Sequence, residues 1–594
     1  MWLKDWLSIV LPILRKSWMK MDSSFDPMIS AEAAEMKMHP VFWILKQVRR
    51  RIPAIVLMTA AQVGHALFSV WFALGSRGVI DSAVSGDRQA FLKACGYQAS
   101  IIGGILLCTV LLRHLREKLR ADLERDWKRQ LLHGLLHGDY AQVKNYHSAE
   151  LLNRLNNDVN KVNDGLLSVV PGGASMVTRL VAAVVVLGVL DARFTLLMGG
   201  LGAVVIGATT LMRRKLKNLN KQVSEHDGKV SAFLQETMEK LLMVQAMDVS
   251  HEVENRSEGL MEARYHIQRK RKNVGLISNT CVNIMYYGAG FLALCWCANR
   301  MLLGQMSFGS LTAVIQLVNQ LQQPFVGLSG ILPQYLAMVA SGERLMELEA
   351  IQGEPAPMNE DPAQLYRDMD AIGAEKLCFA YDRDRVYREA EFLLPKGAFA
   401  VITGPSGIGK STLLKLLLGV FRLDGGKLYV QRGAQRVKLD RSTRRLFAYV
   451  PQGNLLFSGT VRDNLTIVRP QATQEELDRA VYVSCMDEFL SQLPNGLDTV
   501  LGESGAGLSE GQVQRLAIAR AVLGGAPILL LDECTSALDE KTEDQVLRRL
   551  RALPDRTTIA VTHRPAAIAL CDWRLEVGGG KIKAVWSDAR ETKE

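Results

Sequence analysis

The stretch AFAVITGPSGIGKSTLLKLLLGV, Ala398 to Val420, decides how this chain is read. An apolar run of strand type breaks at Gly404, passes a glycine-rich turn, and resumes as a leucine-rich run of helical type. The pattern G-x-x-x-x-G-K-S between a strand and a helix is a P-loop. Its glycines let backbone N–H groups curl around phosphate oxygens, and the helix N-terminus adds positive potential. Gly404, Pro405, Ser406, Gly407, Ile408, Gly409, Lys410, Ser411 and Thr412 are therefore candidate phosphate contacts. Lys410 would bridge phosphates, and Ser411 can hold Mg²⁺. Further along, PILLLDE places Asp532 and Glu533 at the end of an apolar strand. One carboxylate there can reach Mg²⁺ through water, and its neighbour can position an attacking water. Downstream of a P-loop this is a Walker B strand. With KLCFAY and TTIAVTH added, strands alternate with helices from about residue 371, which predicts an α/β P-loop ATPase domain with a largely parallel sheet.

The chain has 594 residues, 48% of them hydrophobic and 22% charged, and a formal net charge of +10. The length suggests two to four domains. Residues 1–350 hold 39 Lys and Arg against 28 Asp and Glu, while residues 351–594 hold 32 against 33. All the excess positive charge thus lies in the part that also carries the long apolar runs. That is the pattern of membrane flanks, and no nucleic-acid partner is expected. The nine cysteines include no CxxC pair, which fits reduced thiols in the cytosol. Cys295 and Cys297 form a CxC inside an apolar run and are read as packing.

Six membrane spans are expected at about 54–76, 94–112, 165–190, 194–212, 274–299 and 308–334, within a membrane domain over 52–350. The segments 113–164 and 213–273 hold 10 and 13 Lys and Arg, so they are cytoplasmic, as are both termini. No proline lies between Pro53 and Pro171 or between Pro171 and Pro324. Proline is excluded from ordinary helix interiors, so the cytoplasmic segments should be helical arms continuing the spans. Gly138-Asp139 and Asp227-Gly228 are the predicted turning points. Two amphipathic stretches, 1–20 and 40–51, make up an N-terminal segment over 1–51; they read as helices lying in the interface, or as ordinary surface helices. Three prolines in IQGEPAPMNEDPAQ mark a linker over 351–370, and the nucleotide-binding domain follows at 371–594. No cleavable signal is evident at the N-terminus, and no Cys/His protease-like domain precedes the first span, so coupled leader cleavage is not expected.

LSEGQVQR, Leu508 to Arg515, resembles the LSGGQ signature of the ATP-binding cassette superfamily, and the other cassette landmarks follow in order. Tyr381 resembles the aromatic that stacks on adenine, Gln452 in YVPQ the Q-loop glutamine, SALD (536–539) the D-loop, and His563 the switch histidine. GESG, Gly502 to Gly505, is similar to the loop that exporters place before the signature. The spans and arms look like the six-span module of ABC exporters, with weaker matches in AELLNRLNNDV (149–159) and KVSAFLQETMEKLLMVQAM (229–247). The resemblance implies a multidomain membrane protein: an all-α six-helix transmembrane domain joined to an α/β P-loop domain with a helical subdomain. It also implies the cofactors ATP and Mg²⁺ and a dimeric half-transporter, because one P-loop and one signature cannot close a site alone. In each composite site Ser411, Gln452 and Asp532 would complete the metal shell, and Glu533 would serve as general base or water-orienting group. His563 would contact the γ-phosphate. Ser509, Gly511 and Gln512 would reach the partner's nucleotide, and Asp539 would line the D-loop.

The expected function is export of a small molecule, lipid or peptide by alternating access across a membrane, with a bacterial plasma membrane favoured. Alternatives on the same scaffold are an uptake pump for siderophore-like molecules, an ATP-gated channel, or one subunit of a heterodimer. A soluble cassette-bearing chromosome-maintenance ATPase is opposed by the apolar runs. All residues of one site are present, which permits a homodimer, while Glu510, where the family has glycine, leaves room for an unlike partner. Glu510 either points to solvent or weakens the signature. Cys534 after Glu533 is read as a packed small residue. Polar residues in the spans, namely Gln62, His65, Asn279, Asn283, Tyr286, Tyr287, Gln316, Asn319, Gln320, Gln322, Gln323 and the single charge Arg179, either meet substrate or bond helix to helix.

Overall fold

Six helices of 32 to 53 residues account for most of the first part of the computed structural model, which describes residues 39–351, 353, 360–381, 384–453, 456–502 and 507–586. They are α2 (Ile52–Val84), α3 (Arg88–His137), α4 (Val159–Leu190), α5 (Ala192–Glu239), α6 (Ser250–Leu302) and α7 (Phe308–Glu349), preceded by the short α1 (Pro40–Gln47). At 1.5 Å per residue α3 is about 75 Å long, well over twice the ~30 Å hydrocarbon core of a bilayer. The arms predicted from the missing prolines are therefore present as continuous helix. Four segments carry an apolar window long enough to span: Arg49–Val84, Arg88–His137, Ser148–Leu190 and Ser250–Leu302. The glutamines and asparagine of α7 dilute its hydropathy.

The chain divides into two compact units, one of residues 1–133 and 148–350, the other of residues 134–147 and 351–594. In the first, α4 and α7 run antiparallel in fixed register. A methyl on Gly165 would fall 2.5 Å from Met338 Cβ, one on Gly172 would fall 3.1 Å from Ile331, and one on Gly327 would collide with Met176. Close helix approach through small residues is the usual solution where no hydrophobic effect drives association. Each step up α4 is matched by an equal step back along α7, which sets Arg179 level with Pro324. At the far end of α4, Asp191 caps α5 by accepting from the Arg193 and Phe194 N–H groups, and its other oxygen accepts from Trp296 Nε1 at 3.0 Å and from Arg300.

One expectation changes. The predicted turn at Asp227-Gly228 lies inside α5, which continues to Glu239. One glycine costs a helix only about 1 kcal/mol, and Asp227 is engaged by Arg264 of α6. The chain reverses instead through the one-turn helix Leu241–Ala246 and Asp248, whose φ is +54°. Pro171, Pro324 and Pro333 lie inside α4 and α7, within the expected spans 165–190 and 308–334; inside a membrane bundle the freed carbonyls find other partners. The turn at Gly138-Asp139 is as expected, with Asp139 capping the helix Tyr140–Val143. Of the amphipathic stretches, α1 buries Trp43 and Ile44, Trp43 stacking on Trp127 of α3 and donating to Glu349 of α7. Residues 1–20 lie outside the described residues, as do 352 and 354–359 of the linker.

The second unit has two sheets. β1 (Ala371–Tyr381), β2 (Asp384–Pro395), β4 (Gly425–Arg432) and β5 (Gln435–Lys438) form an antiparallel sheet in the order β2-β1-β4-β5. The other sheet joins β3 (Phe399–Thr403), β6 (Phe447–Val450), β7 (Ile528–Asp532), β8 (Thr557–Val561), β9 (Trp573–Gly578) and β10 (Lys581–Trp586) in the order β10-β9-β3-β8-β7-β6. All its pairs are parallel except β9–β10. Its central strands β7 and β8 are buried at every residue, as parallel strands covered on both faces must be. Helix α8 (Lys410–Leu417) follows β3. A separate helical core gathers α9 (Gln474–Val483), Phe489 and α10 (Glu510–Leu523), and α11 (Glu540–Arg551) follows β7.

Candidate nucleotide site

The parallel sheet ends its strands at one edge, and the loops leaving β3, β6, β7 and β8 meet there. Between β3 and α8, Gly404, Gly407 and Gly409 hold φ of +146°, +78° and +111°, angles that L side chains rarely adopt. A Cβ on Gly409 would also collide with Val386. Beneath this turn the buried Tyr387 hydroxyl donates to the Gly409 carbonyl at 2.8 Å. The Ile408 N–H reaches back to the Pro405 carbonyl, and Pro405, Ser406 and Gly407 are exposed. Lys410 is buried, and its Nζ donates to the Gly404 and Pro405 carbonyls at 2.9 and 3.0 Å. No carboxylate pairs with it among the described residues, so its charge is not neutralised by an acid.

The Walker acid is fully engaged. Ser411 Oγ donates to Asp532 Oδ1 at 2.7 Å and the Tyr449 hydroxyl to Oδ2 at 3.0 Å. Burial first, then the Asp532 charge, pushes the Tyr449 phenol well up, so it remains a donor. Glu533 lies just past β7 at φ +48°, its N–H bonded to Val561 O and its Oε2 accepting from Gln452 Nε2 at 2.7 Å. Parallel pairing of Val561 with Asp532 brings the exposed His563 to the same sheet edge. Ser411, Asp532 and Gln452 offer only oxygen donors toward a metal, a set that suits a hard cation such as Mg²⁺. Cys534 is buried, its thiol pushed up to about 12 by burial, consistent with packing. Tyr381 ends β1 with its hydroxyl 3.3 Å from Thr412 Oγ1, edge-on to Phe421, with Lys144 Nζ 5.7 Å over its ring.

The signature lies on its own helix. Ser509 caps α10, its Oγ accepting from the Gln512 N–H while Gln512 Oε1 accepts from the Ser509 N–H at 2.9 Å. Glu510 is exposed, so it points to solvent. A methyl on Gly511 would fall 2.9 Å from the Ala537 carbonyl. Gln514 donates to Ser536 Oγ and accepts from the Ala537 N–H, both at 3.0 Å, which ties the signature helix to the D-loop. Asp539 caps α11, and the Thr542 N–H holds its carboxyl below the usual range. Glu543, buried, accepts from Thr535 and pairs with Arg564. The hydrogen bonds bring Ser411 to Asp532 and Gln452 to Glu533. None links Ser509 or Gly511 to the P-loop among the described residues. Glu503, Ser504 and Gly505 lie outside those residues. Sequence reasoning missed Tyr449, Tyr387 and Gln514, whose contacts join segments distant in sequence.

Family models match both parts of the chain: that of the ABC transporter transmembrane region over residues 52–325 and that of the ABC transporter domain over residues 387–536. The cyclolysin secretion/processing ATP-binding protein CyaB of Bordetella pertussis is 30% identical over 377 residues, 63% of this chain and 52% of that protein. The ATP-dependent lipid A-core flippase of Desulfotalea psychrophila is 31% identical over 369 residues, 62% and 64% of the two chains. The mycobactin import ATP-binding/permease protein IrtB of Mycolicibacterium smegmatis is 36% identical over 282 residues, 47% and 48%. The aligned part of the chain thus spans about half the length of several of these relatives. A bacterial Atm1-family ABC exporter solved with ATP bound superposes with a TM-score of 0.74 at 24% identity, over 90% of this chain and 95% of that one, which shows a common fold. With both models matched in order and the P-loop, Walker acids and signature helix built as described, this chain belongs to the ABC transporters.

Proposed function

We propose that the chain is half of an ATP-hydrolysing exporter, two copies of which move a small molecule, lipid or peptide out across a bacterial plasma membrane with both termini in the cytosol. The observation that carries this reading is the division of labour within one chain. P-loop, Walker acids and Gln452 are hydrogen-bonded into one cluster, while the signature is bonded to the D-loop and to its own helix. A second copy is the natural source of the signature facing each P-loop.

In that composite site the N–H groups around Gly407 to Lys410 take phosphate oxygens, and Lys410 exchanges its two carbonyls for them. Ser411, Gln452 and Asp532 would hold Mg²⁺, which when bound neutralises charge on the phosphates. Tyr449 keeps Asp532 oriented. Glu533, freed from Gln452, orients the attacking water and takes its proton, and His563 contacts the γ-phosphate. Tyr381 stacks on adenine, while the partner's Ser509, Gly511 and Gln512 close over the phosphates and Asp539 lines the junction. Closing and opening around the nucleotide is the two-state event that transport would use.

The test is ATP-driven flux in inverted vesicles together with ATPase activity of the purified chain. Accumulation inside such vesicles supports export. Net movement outward would overturn the direction in favour of uptake, and absence of turnover by the chain alone would replace the homodimer by a heterodimer.

A further inference from the structure

Three helices of the membrane unit bring polar groups to one level. Antiparallel packing sets Arg179 of α4 opposite Pro324 of α7. The α2–α7 pair is also antiparallel: Gln320 Nε2 donates to the Ser69 carbonyl at 2.5 Å, and Asp81 accepts from the Gly309 N–H at 2.9 Å, twelve residues up one helix and eleven back along the other. Continued by one turn, that register places His65 level with Pro324 as well. The Arg179 guanidinium lies within electrostatic reach of the His65 imidazole. Pro324 has no N–H, so the main-chain carbonyl one turn earlier, at Gln320, loses its helical donor.

Several polar atoms of the side chains gathered there lack partners. Arg179 makes no ion pair or hydrogen bond among the described residues. His65 Nδ1, Gln316 Oε1 and Gln320 Oε1 are buried with no hydrogen-bond partner. Arg179 stands eleven residues before the end of α4, about 16 Å along a helix that crosses a ~30 Å core, too deep to reach the interface. An uncompensated guanidinium at mid-membrane, with unsatisfied amide oxygens one and two turns along the facing helix, is costly unless something else completes it.

We propose that Arg179, His65 and the Gln316–Gln320 edge of α7 form a recognition site for the anionic headgroup of an amphipathic substrate that also carries a hydrogen-bond donor. Arg179 supplies the charge, His65 a second donor, and the glutamine oxygens accept from a hydroxyl or N–H next to the anion. The site's depth selects molecules with an apolar portion. The inference rests on the transporter reading and narrows its substrate class.

The test is equilibrium binding, without nucleotide, to the full chain in neutral phosphatidylcholine nanodiscs. The probes are 1-oleoyl lysophosphatidic acid, which carries a phosphate and a free hydroxyl, and monoolein, which has the same glycerol and chain without the phosphate. Preference for the acid by about tenfold or more is expected, as a charge-assisted pair gives. Arg179→Gln should abolish the preference, Arg179→Lys should keep most of it, and His65→Gln should reduce it severalfold. Equal binding of the two probes overturns the proposal, as does an unchanged preference in Arg179→Gln, or equal competition by free glycerol 3-phosphate. Should Arg179→Gln fail to fold, the His65→Gln and Arg179→Lys results decide. A protein that pumps but shows no preference defeats this inference alone; one that shows the preference but never turns over ATP defeats only the pump reading.

Discussion

Glu533 is held in a left-handed backbone conformation at φ +48° by a hydrogen bond from its N–H to Val561 and by Gln452 at its carboxylate. Non-glycine residues there cost of order 1–3 kcal/mol and persist where the surroundings over-determine them. Glu533→Gln keeps the shape and the bond to Gln452 but loses the carboxylate proposed as the base. Steady-state ATPase should fall by about 10²–10⁴, with nucleotide binding retained in a fluorescent-ATP titration; robust turnover would remove Glu533 from the reaction. Tyr449 sets up a milder case. Tyr449→Phe deletes one 3.0 Å bond to Asp532, worth about 1 kcal/mol, so Mg²⁺-dependent nucleotide affinity should weaken roughly fivefold while Mg²⁺-free binding stays the same. Tyr449 was hidden in the sequence because an aromatic in a strand reads as core, and only the pairing of β6 with β7 turns its hydroxyl to the Walker acid.

At the level of elements, the N-terminal end of α4 is clamped to α7 through a single π-helical turn, Arg154–Asp158. Such turns often mark functional positions in helices. Arg154 donates to Glu150 and Glu347, and Asp158 accepts from Arg344 and Ser341. Burial alone would raise the Asp158 carboxyl, but Arg344 and Ser341 outweigh it and hold the group below the ordinary value. Folding therefore gains from this pair above about pH 4 and loses that gain as pH falls through the lowered value. Thermal unfolding of detergent-solubilised protein should show that acid-side loss, and Asp158→Asn should flatten it. The same change should cost on the order of 1–3 kcal/mol near neutrality, discounted because Arg344 is 41% exposed. In the P-loop, Gly409→Ala should abolish nucleotide binding, since a methyl at φ +111° meets Val386; unchanged affinity in the same titration would show that the loop relaxes freely.

For the whole molecule, the division of the site predicts a contact that one chain does not make. Ser406→Cys and Ser509→Cys, combined in the Glu533→Gln background with ATP, should cross-link into a species of doubled mass on a denaturing gel. Omitting ATP should remove it. A cross-link that forms within one chain, or none at all under trapping conditions, would defeat the two-chain site. The same scale holds the errors of the sequence reading. Asp227-Gly228 looks like a turn locally, yet the partner Arg264 on α6 and the uninterrupted packing of α5 carry the helix eleven residues further.

Local chemistry sufficed wherever a function needs a particular backbone or charge at a particular spacing. The glycines and Lys410 of the P-loop, the acids ending β7, the cap Ser509, and the long proline-free arms were all legible, because each is dictated by residues within a few positions of one another. Register between distant segments is not written that way. That Tyr449 faces Asp532, that Gln514 ties signature to D-loop, and that His65 and Arg179 stand level with Pro324, one turn from Gln320, follow from strand pairing and helix packing. Those are summed over many weak contacts, so only the folded chain decides them.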